Sequence, residues 1–320
     1  MVKLKKIINQ MIDFKQILPN KKKMKKITIL SGKGGVGKSS ITASLAVTLS
    51  KKHKIICADC DVDASNLALI FGLRETNYDS WEPVSTNQKV HFDYEKCDSC
   101  GLCIDTCYFN AIKFKDKKPV LKPFSCEGCG ACELICPKNA ITLVDVYNAK
   151  IGYAKTKYGF NVVSGQIGIG ESGSGKVVAA VKETARKISK EDEIMLIDAA
   201  AGIGCPVIAS VTGSDYCICV TEPTPSGFSD LKRAIEMVNH FNIKTGLIIN
   251  KYDLNNDFSN KIEQFADKNN INLLAKIPYD KSFLDALVNL TPVVVYNPKL
   301  ESLFESIMTN VKKDMEKIIK

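Results

Sequence analysis

Ser31-Gly32-Lys33-Gly34-Gly35-Val36-Gly37-Lys38-Ser39-Ser40 follows a short strand-like run, Ile27-Thr28-Ile29-Leu30. After it, Ile41, Leu45, Ala46 and Leu49 recur at helical spacing. Strand, glycine loop and helix in that order form a phosphate-binding loop. Glycines let the backbone close round phosphate oxygens with its N–H groups pointing inward, and the helix N-terminus adds a favourable dipole. Gly34, Gly35, Val36, Gly37, Lys38, Ser39 and Ser40 are the candidate nucleotide contacts. Lys38 is expected at the β- and γ-phosphates, and the Ser39 hydroxyl at Mg²⁺.

Further strand-like runs lie at residues 54–61, 193–198, 216–221, 246–250 and 272–277, separated by helical patterns. Such alternation predicts an α/β fold with a parallel sheet and helices on both faces. Gly170-Glu171-Ser172-Gly173-Ser174-Gly175-Lys176-Val177 imitates a second phosphate loop. Val177 stands where the magnesium-binding hydroxyl belongs, so the segment reads as a glycine-rich loop capping a helix over 176–188.

The early lysine in Lys33-Gly34-Gly35-Val36-Gly37-Lys38-Ser39 resembles the deviant phosphate loop of the MinD/Mrp/nitrogenase iron protein superfamily of P-loop ATPases. The resemblance implies an ATP-bound homodimer in which Lys33 reaches the partner's nucleotide. Ala58-Asp59-Cys60-Asp61-Val62-Asp63 looks like that superfamily's first switch, which gives Asp61 the role of orienting the attacking water and Asp59 a supporting role at Mg²⁺. Asp198, followed by Ala199-Ala200-Ala201-Gly202, looks like the second switch. It implies Mg²⁺ held by Asp198 through water and a γ-phosphate sensed at Gly202. An all-Ala tripeptide here departs from the Pro often found in the family. Asn250, with Lys251 beside it, matches the position that reads adenine. Asn250-Lys251-Tyr252-Asp253 also fits the guanine-reading Asn-Lys-x-Asp pattern, which leaves GTP as the other expectation.

Between the two switches lies an internal repeat with a period of 29 residues. Cys97, Cys100, Cys103 and Cys107 align with Cys126, Cys129, Cys132 and Cys136, Gly101 with Gly130, and Asn110-Ala111-Ile112 with Asn139-Ala140-Ile141. Each half is C-x₂-C-x₂-C-x₃-C, which resembles the bacterial ferredoxin run for two 4Fe–4S clusters. The fourth Cys of such a run serves the other cluster. The resemblance therefore implies one cluster on Cys97, Cys100, Cys103 and Cys136, and a second on Cys126, Cys129, Cys132 and Cys107. Pro137 follows the last Cys as expected, whereas Tyr108 replaces the equivalent Pro. Zinc is the competing reading, and the intact repeat argues against it.

The expected organisation is a basic extension over 1–23, an ATPase domain formed by 24–87 and 148–320, and a small α+β ferredoxin-type insert over 88–147. The chain of 320 residues is 45% hydrophobic and 25% charged, an ordinary globular composition. Its net charge is +9, but residues 1–23 hold seven Lys against one Asp, so the body is close to neutral and gives no nucleic-acid signal. No apolar run is long enough to span a membrane and no signal-peptide core is present, so a cytoplasmic location is expected. Of the thirteen cysteines, Cys57, Cys217 and Cys219 read as buried hydrophobes. Cys60 sits between acids. Cys205 has the offset from Asp198 of a cluster-ligating Cys in nitrogenase iron proteins, with simple packing as the other reading. His53, His91 and His240 show no metal spacing. The amphipathic final segment suits either a core-packed helix or a membrane helix.

Three functions fit. The favoured one is an ATP-gated electron donor to a metalloprotein or redox partner. The others are an iron–sulfur assembly or delivery ATPase and a MinD-like positioning switch.

Overall fold

The computed structural model describes residues 24–189 and 193–316. The basic extension and the last four residues, Ile318 and Ile319 among them, lie outside the described residues.

The chain opens with β1 (Lys25–Ser31), α1 (Lys38–Ser50), β2 (Ile55–Cys60) and the short α2 (Leu67–Ile70). A long strand β3 (Ser80–Phe92) leads to α3 (Leu102–Thr106), β4 (Ile112–Lys115), β5 (Lys118–Leu121) and α4 (Ala131–Ile135), and β6 (Ile141–Lys155) returns. Then follow β7 (Asn161–Ile167), α5 (Ser174–Ile188), β8 (Ile194–Ala201), α6 (Cys205–Val211), β9 (Tyr216–Thr221) and α7 (Pro225–His240). The chain closes with β10 (Thr245–Asn250), α8 (Asn256–Lys268), β11 (Asn272–Ile277), α9 (Ser282–Val288), α10 (Val293–Tyr296) and α11 (Glu301–Glu316).

Nine strands form one sheet in the order β11-β10-β9-β1-β8-β2-β7-β6-β3. The expectation of a parallel sheet holds from β11 to β7. It fails at β6 and β3, which run antiparallel to their neighbours. The reason is topological: a chain that leaves the sheet and returns beside itself needs an antiparallel ribbon. Side-chain alternation splits the core into two layers. Ile27 and Ile29 of β1 face a cluster with Ile41 and Leu45 of α1 and Phe304, Ile307 and Val311 of α11. Leu30 faces the opposite layer with Leu231 and Ile235 of α7 and Ile262 of α8. Val177, Val178 and Val181 of α5 extend that second layer over β2 and β7.

Helix α11 is thus a core helix. It is pinned further where the Tyr216 hydroxyl donates to Asp314 at 2.7 Å and Lys244 pairs with Asp314 at 2.9 Å. Among the described residues no helix is long and apolar enough to cross a membrane.

Strands β3 and β6 pair from Ser80↔Tyr153 to Phe92↔Ile141, so the expected boundaries at 88 and 147 fall inside one continuous ribbon. The register shifts between Val84 and Asn87. Asn148 fills that irregularity: its Oδ1 accepts from the Thr86 amide at 3.0 Å and from the Thr86 hydroxyl at 3.2 Å. At the ribbon's far end, Val90, Phe92, Ile112 and Ile141 make a small separate core with Cys103 and Cys132. Its two halves repeat in backbone as in sequence. Gly101 and Gly130, at φ 86° and 79°, each lead into a five-residue helix. Only glycine adopts that left-handed geometry at no steric cost.

Candidate functional site

The phosphate loop joins the C-terminal end of β1 to α1, at the point where the strand order reverses about β1. Such a crevice is where open α/β sheets bind ligands. Two glycines are required by contacts. A Cβ on Gly32 would lie 2.3 Å from the Asp230 carbonyl oxygen of α7. At Gly37, φ is 90° and a Cβ would lie 2.5 Å from Asn250 Nδ2.

Lys38 and Asp198 are both buried and meet at 2.8 Å. Asp198 also accepts from the Ser39 hydroxyl at 2.6 Å and the Thr42 hydroxyl at 2.9 Å. The groups expected at phosphate and at magnesium therefore satisfy one another. Asp59, on the neighbouring strand, is fully buried. It accepts from Ser65 Oγ at 2.7 Å and from the Leu67 amide at 2.9 Å. Burial, then the nearby Asp198 carboxylate, raises the Asp59 carboxyl to about 7 despite those bonds. Asp61 is half-buried. Burial and Asp198 raise its carboxyl as well, against the pull of Lys38. Lys38, Asp59, Asp61 and Asp198 thus share one electrostatic environment.

Lys33 pairs with Glu222 of its own chain at 2.8 Å and donates to Ser226 at 3.2 Å. Lys251 meets the other oxygen of Glu222 at 3.2 Å and the Gly35 carbonyl at 3.4 Å. Asn250 is buried. Its Nδ2 donates to the Val36 carbonyl at 2.8 Å, and its Oδ1 accepts from the Lys251 amide at 3.0 Å. The structure thus brings both expected base-side residues onto the phosphate loop itself. Asp253 accepts from the Tyr279 amide at 2.6 Å. Gly202 donates its amide to the Ser31 carbonyl at 2.9 Å, so the end of the expected second switch is bonded to the base of the loop.

The eight insert cysteines keep the repeat in three dimensions. Cys100 and Cys129 are exposed, Cys103 and Cys132 buried, and Cys97, Cys107, Cys126 and Cys136 intermediate. The Ala111 amide donates to Cys107 Sγ at 3.2 Å, and the Ala140 amide to Cys136 Sγ at 3.3 Å. One cavity is lined by Cys97, Cys100 and Cys103 together with Cys136 from the other repeat. Burial raises the Cys103 thiol, with Cys100 and Cys97 acting in the same direction. Cys132 is pushed to about 11 by burial, with Cys126 and Cys129 beside it. Thiols crowded in this way ionise together only round a positively charged occupant, so the chemistry of the donor set, though not the placement of its side chains, suits a metal-containing group. Among the described residues no group of three or more His, Cys, Asp or Glu is placed to hold a metal ion.

The profile of the CobQ/CobB/MinD/ParA nucleotide-binding domain matches residues 27–293. The chain belongs to this family. Family members of known structure share the fold. The septum site-determining protein MinD of Pyrococcus horikoshii, complexed with Mg-ADP, superposes with a TM-score of 0.55 at 20% identity, covering 91% of this chain and 96% of that one. An uncharacterised protein of Methanocaldococcus jannaschii is 41% identical over 232 residues, 72% of this chain and 79% of the relative. An iron–sulfur cluster carrier protein of the same organism is 26% identical over 318 residues, covering 95% of this chain and 88% of the carrier.

Several residues that shape this nucleotide-binding site are not singled out by any sequence motif. Thr42 lies one helical turn after Lys38, and that spacing was the available signal. Glu222 follows β9 directly, yet its pairing with Lys33 joins residues far apart in the chain. Cys57, Cys60, Cys217 and Cys219 are all buried, in keeping with packing roles. Cys205 is exposed at the start of α6.

Proposed function

We propose that this family member is an ATP-switched homodimer that couples ATP binding and slow hydrolysis to electron transfer from two 4Fe–4S clusters to a metalloprotein partner. The cavity that joins Cys97, Cys100 and Cys103 to Cys136 carries the reading, because a crossed fourth ligand is the signature of a two-cluster ferredoxin. The equivalent second set is Cys126, Cys129, Cys132 and Cys107. When bound, such clusters supply one-electron carriers, loaded by an external low-potential reductant and emptied into the partner.

The remaining residues act on nucleotide. An incoming phosphate competes with Asp198 for Lys38, which frees Asp198 and Ser39 for Mg²⁺. Asp61 orients water for attack on the γ-phosphate, and hydrolysis gives ADP and phosphate. Lys33 exchanges Glu222 for the nucleotide of the partner subunit. Backbone amides of Gly34, Gly35, Val36 and Gly37 surround the phosphates, and Ser40 continues the cradle into α1. Asn250 and Lys251 act at the base from their seat on the loop.

The likeness to an iron–sulfur cluster carrier favours a second reading, in which the clusters are cargo. Closed four-thiolate ligation favours electron transfer over delivery. Iron and sulfide retention tests the choice. Anaerobically reconstituted protein is incubated with MgATP and an apo-ferredoxin acceptor. Electron transfer predicts that iron stays on this chain through many turnovers. Iron that moves to the acceptor with ATP hydrolysis contradicts it.

A further inference from the structure

We infer that Glu171, in the glycine-rich segment that imitates a phosphate loop, is the positioning residue that couples both nucleotide switches to the cysteine-rich insert. The inference rests on the switching function proposed above. The segment lies between the first switch and the helix that follows the second. Just before it, the amide of Ile167, the last residue of β7, donates to the carbonyl of Val62 in the first switch at 3.1 Å. At the other end, a Cβ on Gly175 would stand 3.3 Å from the carbonyl oxygen of Cys205, where α6 begins after the second switch. Lys182, two turns along α5, donates to the carbonyls of Ala209, Ser210 and Thr212 at 2.7, 2.8 and 2.8 Å. A cation on the last carbonyls of a helix is favoured by its dipole, so both ends of α6 are tied to α5.

The middle of the segment holds the insert. Both oxygens of Glu171 accept from Lys89 of β3 at 2.7 Å, and both side chains are mostly buried. Ser172 accepts from Asn87 Nδ2 at 2.8 Å through its hydroxyl and from Asn148 Nδ2 at 2.9 Å through its carbonyl. Phe124, two residues before Cys126, lies against Gly170, where a Cβ would come within 2.8 Å of the ring. Residues 167–182 thus meet the first switch, the helix that follows the second switch, the ribbon that carries the insert and the approach to the second cysteine set. A displacement of either switch on nucleotide binding has a direct mechanical route to the cysteines.

The test uses full-length reconstituted protein and hydrogen–deuterium exchange, with and without MgATP. In the wild type, ATP is expected to change exchange at residues 86–89 and 122–130 as well as at both switches. Glu171→Gln and Lys89→Met are expected to keep the change at the switches, the iron content and the basal ATPase rate. The change at 122–130 should shrink at least fivefold, and the double exchange K89E/E171K should restore it. Full transmission to 122–130 in Glu171→Gln overturns the inference, as does a wild-type insert that ignores ATP. Transmission that is lost in the single variants and restored in the exchange upholds it, even if ATP leaves electron-transfer rates unchanged. That last result would count against the proposed function alone.

Discussion

The ammonium group of Lys33 lies 2.8 Å from the carboxylate of Glu222 in the same chain, although the family resemblance assigns this lysine to a partner's nucleotide. Glu222 also holds Lys251, and the two ammonium groups outweigh its burial to keep its carboxyl below the ordinary range. Any reach across a dimer must first break this intrachain pair. Partly exposed ion pairs contribute about 0.2–1 kcal/mol. Glu222→Gln should therefore lower the ATP concentration for half-maximal dimerisation by roughly 1.4- to fivefold. Light scattering across an ATP titration measures this, with Lys33→Ala as the variant that binds nucleotide but does not dimerise.

Lys38 and Asp198 form a buried pair, so removing one partner strands the other. Asp198→Ala should cost roughly 3–5 kcal/mol, more than an exposed ion pair could. Thermal unfolding of the nucleotide-free protein should show a large fall in Tm. Lys38→Ala should lose nucleotide binding as well, measured by quenching of a fluorescent ATP analogue.

Asp59 sets a pH dependence. The folded chain keeps its proton up to about 7, whereas the unfolded chain releases it near 3.8. Between those values the folded state binds more protons. Stability without Mg²⁺ therefore falls as pH rises through the window and levels off above it. The slope from this group is at most about 1.4 kcal/mol per pH unit. Denaturant titrations from pH 5 to 8 should show the slope in the wild type and lose it in Asp59→Asn.

The crossed cysteine sets predict a pairing of phenotypes. Cys97→Ser and Cys136→Ser lie in different repeats but should remove the same electron paramagnetic resonance signal and about half the iron. Cys107→Ser should match Cys126→Ser and spare that signal. If each phenotype instead follows its own repeat, the crossed assignment is wrong.

What was legible in the sequence was local. The phosphate loop from Gly32 to Ser39 and the Cys97 and Cys126 repeats declare themselves by spacing, because a phosphate or a cluster needs ligands at fixed intervals. The ribbon was not legible. Strand β3 is largely polar and contains Pro83, which is tolerated because β3 is an edge strand. The pairing of β3 with β6 joins residues on either side of the whole insert, and no local period encodes such a contact. The segment around Glu171 reads as a capping loop, and α5 begins within it at Ser174. Its contacts with Lys89, Asn87 and Phe124 depend on where the ribbon lies. The family resemblance gives Asn250 as a base contact, whereas its bond to Val36 needs the loop and β10 side by side.

The most direct test of ATP-gated transfer follows electrons. The protein is reduced anaerobically and mixed with a low-potential acceptor, and visible absorbance records its reoxidation with ADP, with ATP or without nucleotide. Gated electron transfer predicts a rate that changes with ATP, returns to baseline with ADP and is insensitive to ATP in Lys38→Ala, with iron retained throughout. Equal rates in all three nucleotide states of the wild type would contradict it.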